Sequence, residues 1–229
     1  RVLDLFEAMT GGRVIFSANL VGGMVRDQDA QILATVKERL EGIKADYQQI
    51  SDTFLKDSSV KGRLVGVGYI SPEDAAAWGM TGPFARASAV NNDARCKGSA
   101  AYAALPNFEP ILSHDGDCYA RVEVRIREVL QSIDIICQLI DTIPAGEVLT
   151  KVRVPPAAGS QACHALEQPR GECYYYASGN GTKFLSRMRM RTPTSANLAG
   201  MAMALKGCDL ADVNMIVLTI DPCISCSER

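Results

Sequence analysis

Cys223 and Cys226 stand three residues apart in "DPCISCSER", the last nine residues of the sequence. Two thiols at that spacing can do three kinds of chemistry. A thioredoxin-type dithiol needs its pair between a strand and a helix N-terminus inside a βαβ unit. The surrounding pattern is helical, and no βαβ alternation is present. A zinc site needs two further ligands, and the two histidines, His114 and His164, are isolated. The third option is a half-site for a soft transition metal, completed by ligands from elsewhere. The lead-in favours it: Pro222 fixes its own φ and restricts Asp221 to extended backbone, which would orient the next thiol. Chain ends usually fray, so a reactive pair stored here requires something that orders it.

The other six cysteines, Cys96, Cys118, Cys137, Cys163, Cys173 and Cys208, read as reduced thiols of a cytosolic protein and mostly as small core residues. Among the remaining polar residues, Arg170 lies in "QPRGE" between a proline and a glycine, a setting that can aim one side chain. Thr194 follows Pro193 at a helix start, where a hydroxyl serves as an N-cap. Arg187, Arg189 and Arg191 alternate along one strand and share a face, the pattern of a solvated edge. Asp93 and Arg95 fall in a long irregular stretch.

These residues must be positioned by a mainly helical scaffold. Residues 26–55 carry apolar positions Ile32, Val36, Leu40, Ile43 and Tyr47, the spacing of a long amphipathic helix. Ser71-Pro72-Glu73-Asp74 opens a short helix. From Thr81 to Asp117 the pattern is irregular, and loops of that length tend to be functional or to wrap a neighbour. Asp117 caps a second long helix whose stripe runs Val122, Ile126, Val129, Ile133, Cys137 and Ile140, with Arg121, Arg125 and Glu128 to the side. A Pro/Gly-rich stretch follows, then a hairpin, "CYYYAS", "GNGT", "KFLSRMRMR". "SANLAGMAMAL" and "LADVNMIVLTI" read as two helices leading into the cysteines. The expected fold is therefore α+β, mainly α: one domain over residues 1–229, a long-helix bundle with a small antiparallel hairpin or sheet in its C-terminal half.

With 24 Lys+Arg against 26 Asp+Glu, the net charge of −2 argues against nucleic acid as a partner. No apolar run approaches the ~18–20 residues that span a bilayer. The chain opens at Arg1 on an uncapped helical stripe, Val2, Leu3, Leu5, Phe6 and Met9, which suggests that a preceding portion is missing or carried on another chain.

"DPCISCSER" resembles the C-terminal metal motif of [NiFe]-hydrogenase large subunits, and most closely that of the membrane-bound energy-converting (Ech-like) group. "LFEAMTGGRV", "GPFARASAVNNDAR", "GDCYARVEVRIREVLQSI", "PRGECYYY", "RMRTPTSANL" and "LADVNMIVLTIDPC" resemble that group in the same order. They also resemble the metal-free quinone-site subunit of respiratory complex I.

The hydrogenase resemblance implies reversible reduction of protons to H2 at a nickel–iron centre whose iron carries CN and CO. Cys223 would be a terminal thiolate on nickel, and Cys226 would bridge nickel to iron. Arg170 matches the arginine held over the metals. Thr194, with Pro193 before it, matches the residue that donates to an iron-bound cyanide. Asp93 and Arg95 align with a stretch lining the active-site or quinone cavity, and the strand arginines could meet a partner subunit. The implied partners are an iron–sulfur small subunit with [4Fe–4S] clusters, membrane-arm subunits that couple turnover to ion movement, ferredoxin, and a maturation endopeptidase whose processed product ends near Arg229. The implied location is the cytoplasmic side of the cell membrane. The family also needs a second, N-terminal Cys-x-x-Cys, and an N-terminal Glu for proton transfer. This sequence has neither, so the N-terminal part of the large subunit, or an equivalent chain, would supply them. A complex-I-like subunit without metal is the alternative, and a scaffold with a vestigial pair the third; the intact thiols argue against both.

Overall fold

The structure is a computed structural model and describes residues 1–97, 100–105, 107–152 and 155–228, with Ala100 described by its backbone alone. Arg229, the implied processed end, lies outside the described residues. The chain forms two compact units: residues 1–52 with 129–154, and residues 53–128 with 155–229. The fold is mixed α+β and mainly helical, as expected.

In the first unit, α1 (Val2–Thr10) is followed by a two-residue antiparallel pair, β1 (Asn19–Leu20) and β2 (Gly23–Met24). The long helix α2 runs over Ala30–Lys56 and begins where the Asp29 carboxylate accepts the Ile32 N–H at 2.8 Å. Its predicted stripe is real: Val36 and Leu40 bury against Leu5 and Ile133, with Ile32, Ile43, Cys137 and Ile140 packed around them. Burial at that periodicity, rather than helix propensity, holds such a helix in place.

In the second unit, α3 (Ser58–Leu64) starts at the Asp57 cap, and α4 (Pro72–Ala77) starts at Ser71, whose hydroxyl accepts the Asp74 N–H. The stretch after Thr81, irregular in the sequence, begins as part of the packed interior. Residues 80–88 are all buried, and they include the single turn α5 (Pro83–Arg86). Phe84 and Met80 belong to the main core with Ile70, Ile216 and Ile220. Further on, 3₁₀ turns span Ala94–Lys97 and Ala100–Ala104.

Helix α6 (Cys118–Thr142) starts as expected on Asp117, whose carboxylate accepts both the Ala120 N–H and the Gly66 N–H. Its buried face within this unit differs from the expected stripe: Ala120, Arg121 and Val124 are fully buried, while Val122 and Ile126 are half-buried. Arg121 can be buried because it donates to the Gly68 and Gly116 carbonyls and to Thr219 Oγ1, and lies over the Phe84 ring.

The hairpin β4 (Gly171–Gly179) and β5 (Leu185–Arg191) forms as predicted. It gains a third strand, β3 (Gln161–Gln168), out of the Pro/Gly-rich stretch. The sequence hid β3 because its first half is exposed on both faces, so it shows no period-two alternation. Then come α7 (Pro193–Ala204), α8 (Val213–Ile220) and one short turn, α9 (Ile224–Ser227).

Candidate functional site

The site grows from the two-residue turn between β3 and β4. Gln168 pairs with Gly171, so Pro169 and Arg170 form the tip. Gly171 takes φ +132, and Gly82 approaches it with φ +71. A Cβ on Gly82 would lie 2.2 Å from the Arg170 carbonyl oxygen, so this approach admits glycine alone. The clamp is completed by Thr81. Its Oγ1 accepts the Glu172 N–H at 2.8 Å, and its own backbone N–H and carbonyl pair with both ends of the Asn197 amide on α7. The turn is thereby bonded through Thr81 to α7.

The far wall is the end of α8. Asp221 caps that helix at φ 60, ψ 57, a left-handed conformation rather than the extended one that Pro222 alone suggests. Tertiary bonds outweigh the local preference. The Asp221 N–H closes onto the Val217 carbonyl, and Arg170 donates from Nε to the Asp221 carbonyl at 3.0 Å and from its terminal nitrogen to Oδ1 at 3.2 Å. The same Nε stands 3.0 Å from Oδ2.

From Asp221 the chain turns onto the start of α7. The N-cap of α7 is Thr192, whose hydroxyl accepts the Ser195 N–H, with Pro193 at the first helical position. Thr194 is therefore not the cap; its Oγ1 accepts the Cys223 N–H at 3.1 Å. Thr192 Oγ1 donates to the Cys226 carbonyl at 2.6 Å, and Ser195 Oγ donates to the same oxygen at 3.2 Å. Three hydroxyls in "TPTS" thus tie down the thiol-bearing end, which lies half-buried rather than fully buried. A shallow, tightly packed crevice lies here, lined by Arg170, Thr194, Asn197, Ile220, Asp221 and Pro222.

Electrostatically the two thiols differ. The Cys223 thiol is pulled down to about 7, first by the Ser225 hydroxyl, then by the Cys226 backbone and side chain, with the Arg170 charge adding. Burial pushes the Cys226 thiol up, and its contact with Cys223 adds to the rise. Because the two thiols touch, their two proton losses belong to the pair rather than to either residue. Among the described residues, no group of three or more His, Cys, Asp or Glu side chains converges to hold a metal ion.

Asp93 and Arg95 lie elsewhere in this unit, in a buried ion cluster. Arg95 Nε and its terminal nitrogen bond Asp93, at 3.0 and 2.7 Å. Arg86, fully buried, reaches Glu128 at 2.6 Å, Glu167 at 2.7 Å and Asp93 at 3.0 Å. Burial alone would raise the Asp93 carboxyl, but Arg95 and Arg86 outweigh it and hold it below its ordinary value. In Glu167 burial wins, and the carboxyl is held above its ordinary value in spite of Arg86. Sequence reasoning missed Arg86 and Glu167 and left Glu128 on the side of a helix; no local pattern marks partners 42 and 81 residues apart. Of the alternating arginines, Arg187 and Arg189 are exposed on β5, as a solvated edge would be, whereas Arg191 is half-buried and pairs with Glu172.

The chain is similar to known proteins over its whole length. The profile of the family described as "Respiratory-chain NADH dehydrogenase, 49 Kd subunit" matches residues 1–157 and 149–229. An NADH-quinone oxidoreductase subunit from Phocaeicola vulgatus is 36% identical over 96% of the chain, which covers 43% of that relative. Membrane-bound hydrogenase subunit alpha of Pyrococcus furiosus is 31% identical over the full chain, which covers 57% of it. A subunit of the membrane-bound sulfane sulfur reductase, an archaeal respiratory membrane complex, superposes with a TM-score of 0.91 at 29% identity, over 99% of this chain and 63% of its own. The chain thus spans between 43% and 63% of the length of these proteins.

Proposed function

Since the chain belongs to the family of the 49 Kd subunit of respiratory-chain NADH dehydrogenase, we propose that it is the thiol-bearing part of the catalytic large subunit of an energy-converting [NiFe] hydrogenase. The reaction would be 2H⁺ + 2e⁻ ⇌ H2. Electrons would come from ferredoxin through the [4Fe–4S] clusters of an iron–sulfur small subunit. The subunit would be peripheral, on the cytoplasmic side of the membrane, attached to membrane-arm subunits that move ions. No helix among the described residues is long and apolar enough to cross a membrane, which accords with a peripheral place.

The observation that carries this reading is the fixing of Cys223 and Cys226 by Thr194, Thr192 and Ser195 beside the Arg170–Asp221 pair. The donor set fits half of a nickel–iron centre: two soft thiols, one of which ionises near neutral pH. When bound, that centre supplies the electron chemistry. Cys223 and Cys226 would hold it, with further ligands from the part of the large subunit that this chain does not span. Arg170 presents a guanidinium with a fixed direction, suited to stabilising charge that develops next to the thiols. Asp221 offers the carboxylate that can take and return a proton beside it. Thr194 fixes the Cys223 backbone through its oxygen, and its hydroxyl would remain available as a donor toward the centre that the thiols would hold.

One observation favours a second reading, a metal-free quinone-site subunit like that of complex I: the 36% identity to a subunit of an NADH-quinone oxidoreductase. Elemental analysis of the purified complex separates the two. Nickel in the complex, with iron in excess of it from the [4Fe–4S] clusters, and H2 evolved from reduced ferredoxin, supports the hydrogenase. A nickel-free complex that reduces quinone supports the second reading.

A further inference from the structure

One more guanidinium meets the end of α8, from helix α6. Arg125 lies on α6, one turn beyond Arg121, with 23% of its side chain exposed. It reaches the C-terminal end of α8, donating to the Ile220 carbonyl at 2.9 Å and to the Thr219 carbonyl at 3.4 Å. Its third nitrogen lies 3.6 Å from Asp221 Oδ2. The last carbonyls of a helix have no partner within it and carry partial negative charge. Arg125 satisfies two of them and faces the carboxylate that follows.

The Asp221 carboxylate is therefore shared between two cations: Arg170 from the β3–β4 turn and Arg125 from α6. Burial pushes the Arg125 guanidinium below its ordinary value, the Asp221 and Glu128 charges oppose that fall, and the Arg170 and Arg86 charges add to it. The left-handed backbone at Asp221 is costly for a non-glycine residue and persists only where its surroundings over-determine it. Arg125 contributes two hydrogen bonds to the carbonyls just before that residue and a cation 3.6 Å from its carboxylate.

We propose that Arg125 is a positioning residue: it sets the Asp221 turn, and so fixes the direction of Arg170 and of the Pro222–Cys223 lead-in before any ligand binds. This rests on the reading of Arg170 and the thiols as the working groups. A planar fork is needed because the three acceptors, two carbonyls and a carboxylate, point in different directions. A lysine ammonium is a single point charge that can cap the helix without holding all three.

The test uses the purified complex with Arg125→Lys, Arg125→Met and, as a control, Arg127→Met, whose arginine is exposed and pairs only loosely with Glu123. Hydrogen exchange is followed in peptides covering residues 217–226 and 82–97. Both Arg125 variants should exchange about tenfold faster over 217–226, the scale of one lost hydrogen bond to a charged group, with 82–97 and the control unchanged. In the same samples kcat for H2 evolution should fall about tenfold with nickel content and the KM for the electron donor unchanged, the scale of one misdirected group. Equal acceleration in both peptides would mean a general structural role and overturn the proposal. So would full rescue by Arg125→Lys of exchange and kcat, which would leave only a helix-capping charge. Local acceleration in a complex whose wild type evolves no H2 would retain the positioning role and reject the hydrogenase reading instead.

Discussion

Arg170 Nε lies 3.0 Å from the Asp221 backbone carbonyl and 3.0 Å from its Oδ2, so one side chain grips both the backbone and the carboxylate of the residue two before Cys223. A turn joining two strands and the end of a helix 51 residues later are thereby locked to the same point. The thiols inherit their position from that lock.

Arg170→Lys keeps the charge and loses the fork. Hydrogen evolution per nickel should fall by about 10²–10³, the scale of one positioned electrostatic or acid–base group. Nickel content should be unchanged, because the arginine is not a ligand. Near-normal turnover per nickel would reduce Arg170 to a structural tie.

Cys226→Ser should abolish nickel retention in the complex, since a hydroxyl is too hard a donor to bridge two soft metals. The Thr192 and Ser195 bonds go to the Cys226 carbonyl and survive the change, so the fold of the chain end should persist. Metal analysis alongside circular dichroism checks both halves. A serine variant that still carries nickel would remove Cys226 from the ligand set.

Gly82→Ala should cost about 2–4 kcal/mol, because φ +71 is strained for alanine and the new Cβ would meet the Arg170 carbonyl at 2.2 Å. Gly79→Ala is the comparison: φ is +63, yet nothing lies within 4 Å, so backbone strain of about 1–2 kcal/mol is the whole cost. Denaturant midpoints of the two variants should differ in that order. Equal midpoints would mean that the close approach to Arg170 is not rigid.

Acid should weaken the buried ion cluster through Asp93. Its carboxyl sits below the ordinary 3.8 in the folded protein, so its stabilisation is fully present above pH 3.8 and is lost as pH falls through the lower folded value. Glu167 is raised above 4.5, so it works the other way: it favours folding below pH 4.5 and loses that contribution as pH rises through its folded value. At pH 7, Asp93→Asn should therefore cost about 3–5 kcal/mol, the scale of breaking a buried pair, and Glu167→Gln should cost less. Urea unfolding at pH 7 and pH 3 measures both; a larger loss for Glu167→Gln at pH 7 would reverse the assignment.

How much of this was legible in the sequence follows from the range of the forces involved. Caps and stripes act over three to seven residues, so the stripe from Ile32 to Tyr47 marked α2, Ser71 and Asp117 marked the starts of α4 and α6, and the turn "GNGT" marked the β4–β5 hairpin. The sequence alone also determined which residue types end the chain, two soft thiols after Asp-Pro, and hence the class of metal they suit. It could not determine where those thiols lie. Asp221 is left-handed against the preference imposed by Pro222 because Arg170, 51 residues away, and Arg125 on α6 bond its turn. Thr194 binds Cys223 instead of capping α7 because Thr192 takes the cap. Arg121 and Arg125 lie to the side of the α6 stripe and Arg86 in a stretch without periodicity, yet they are covered because carbonyls and carboxylates from distant segments meet them. Local patterning records what a residue prefers by itself. Only the packed chain decides which charged groups find partners good enough to leave water.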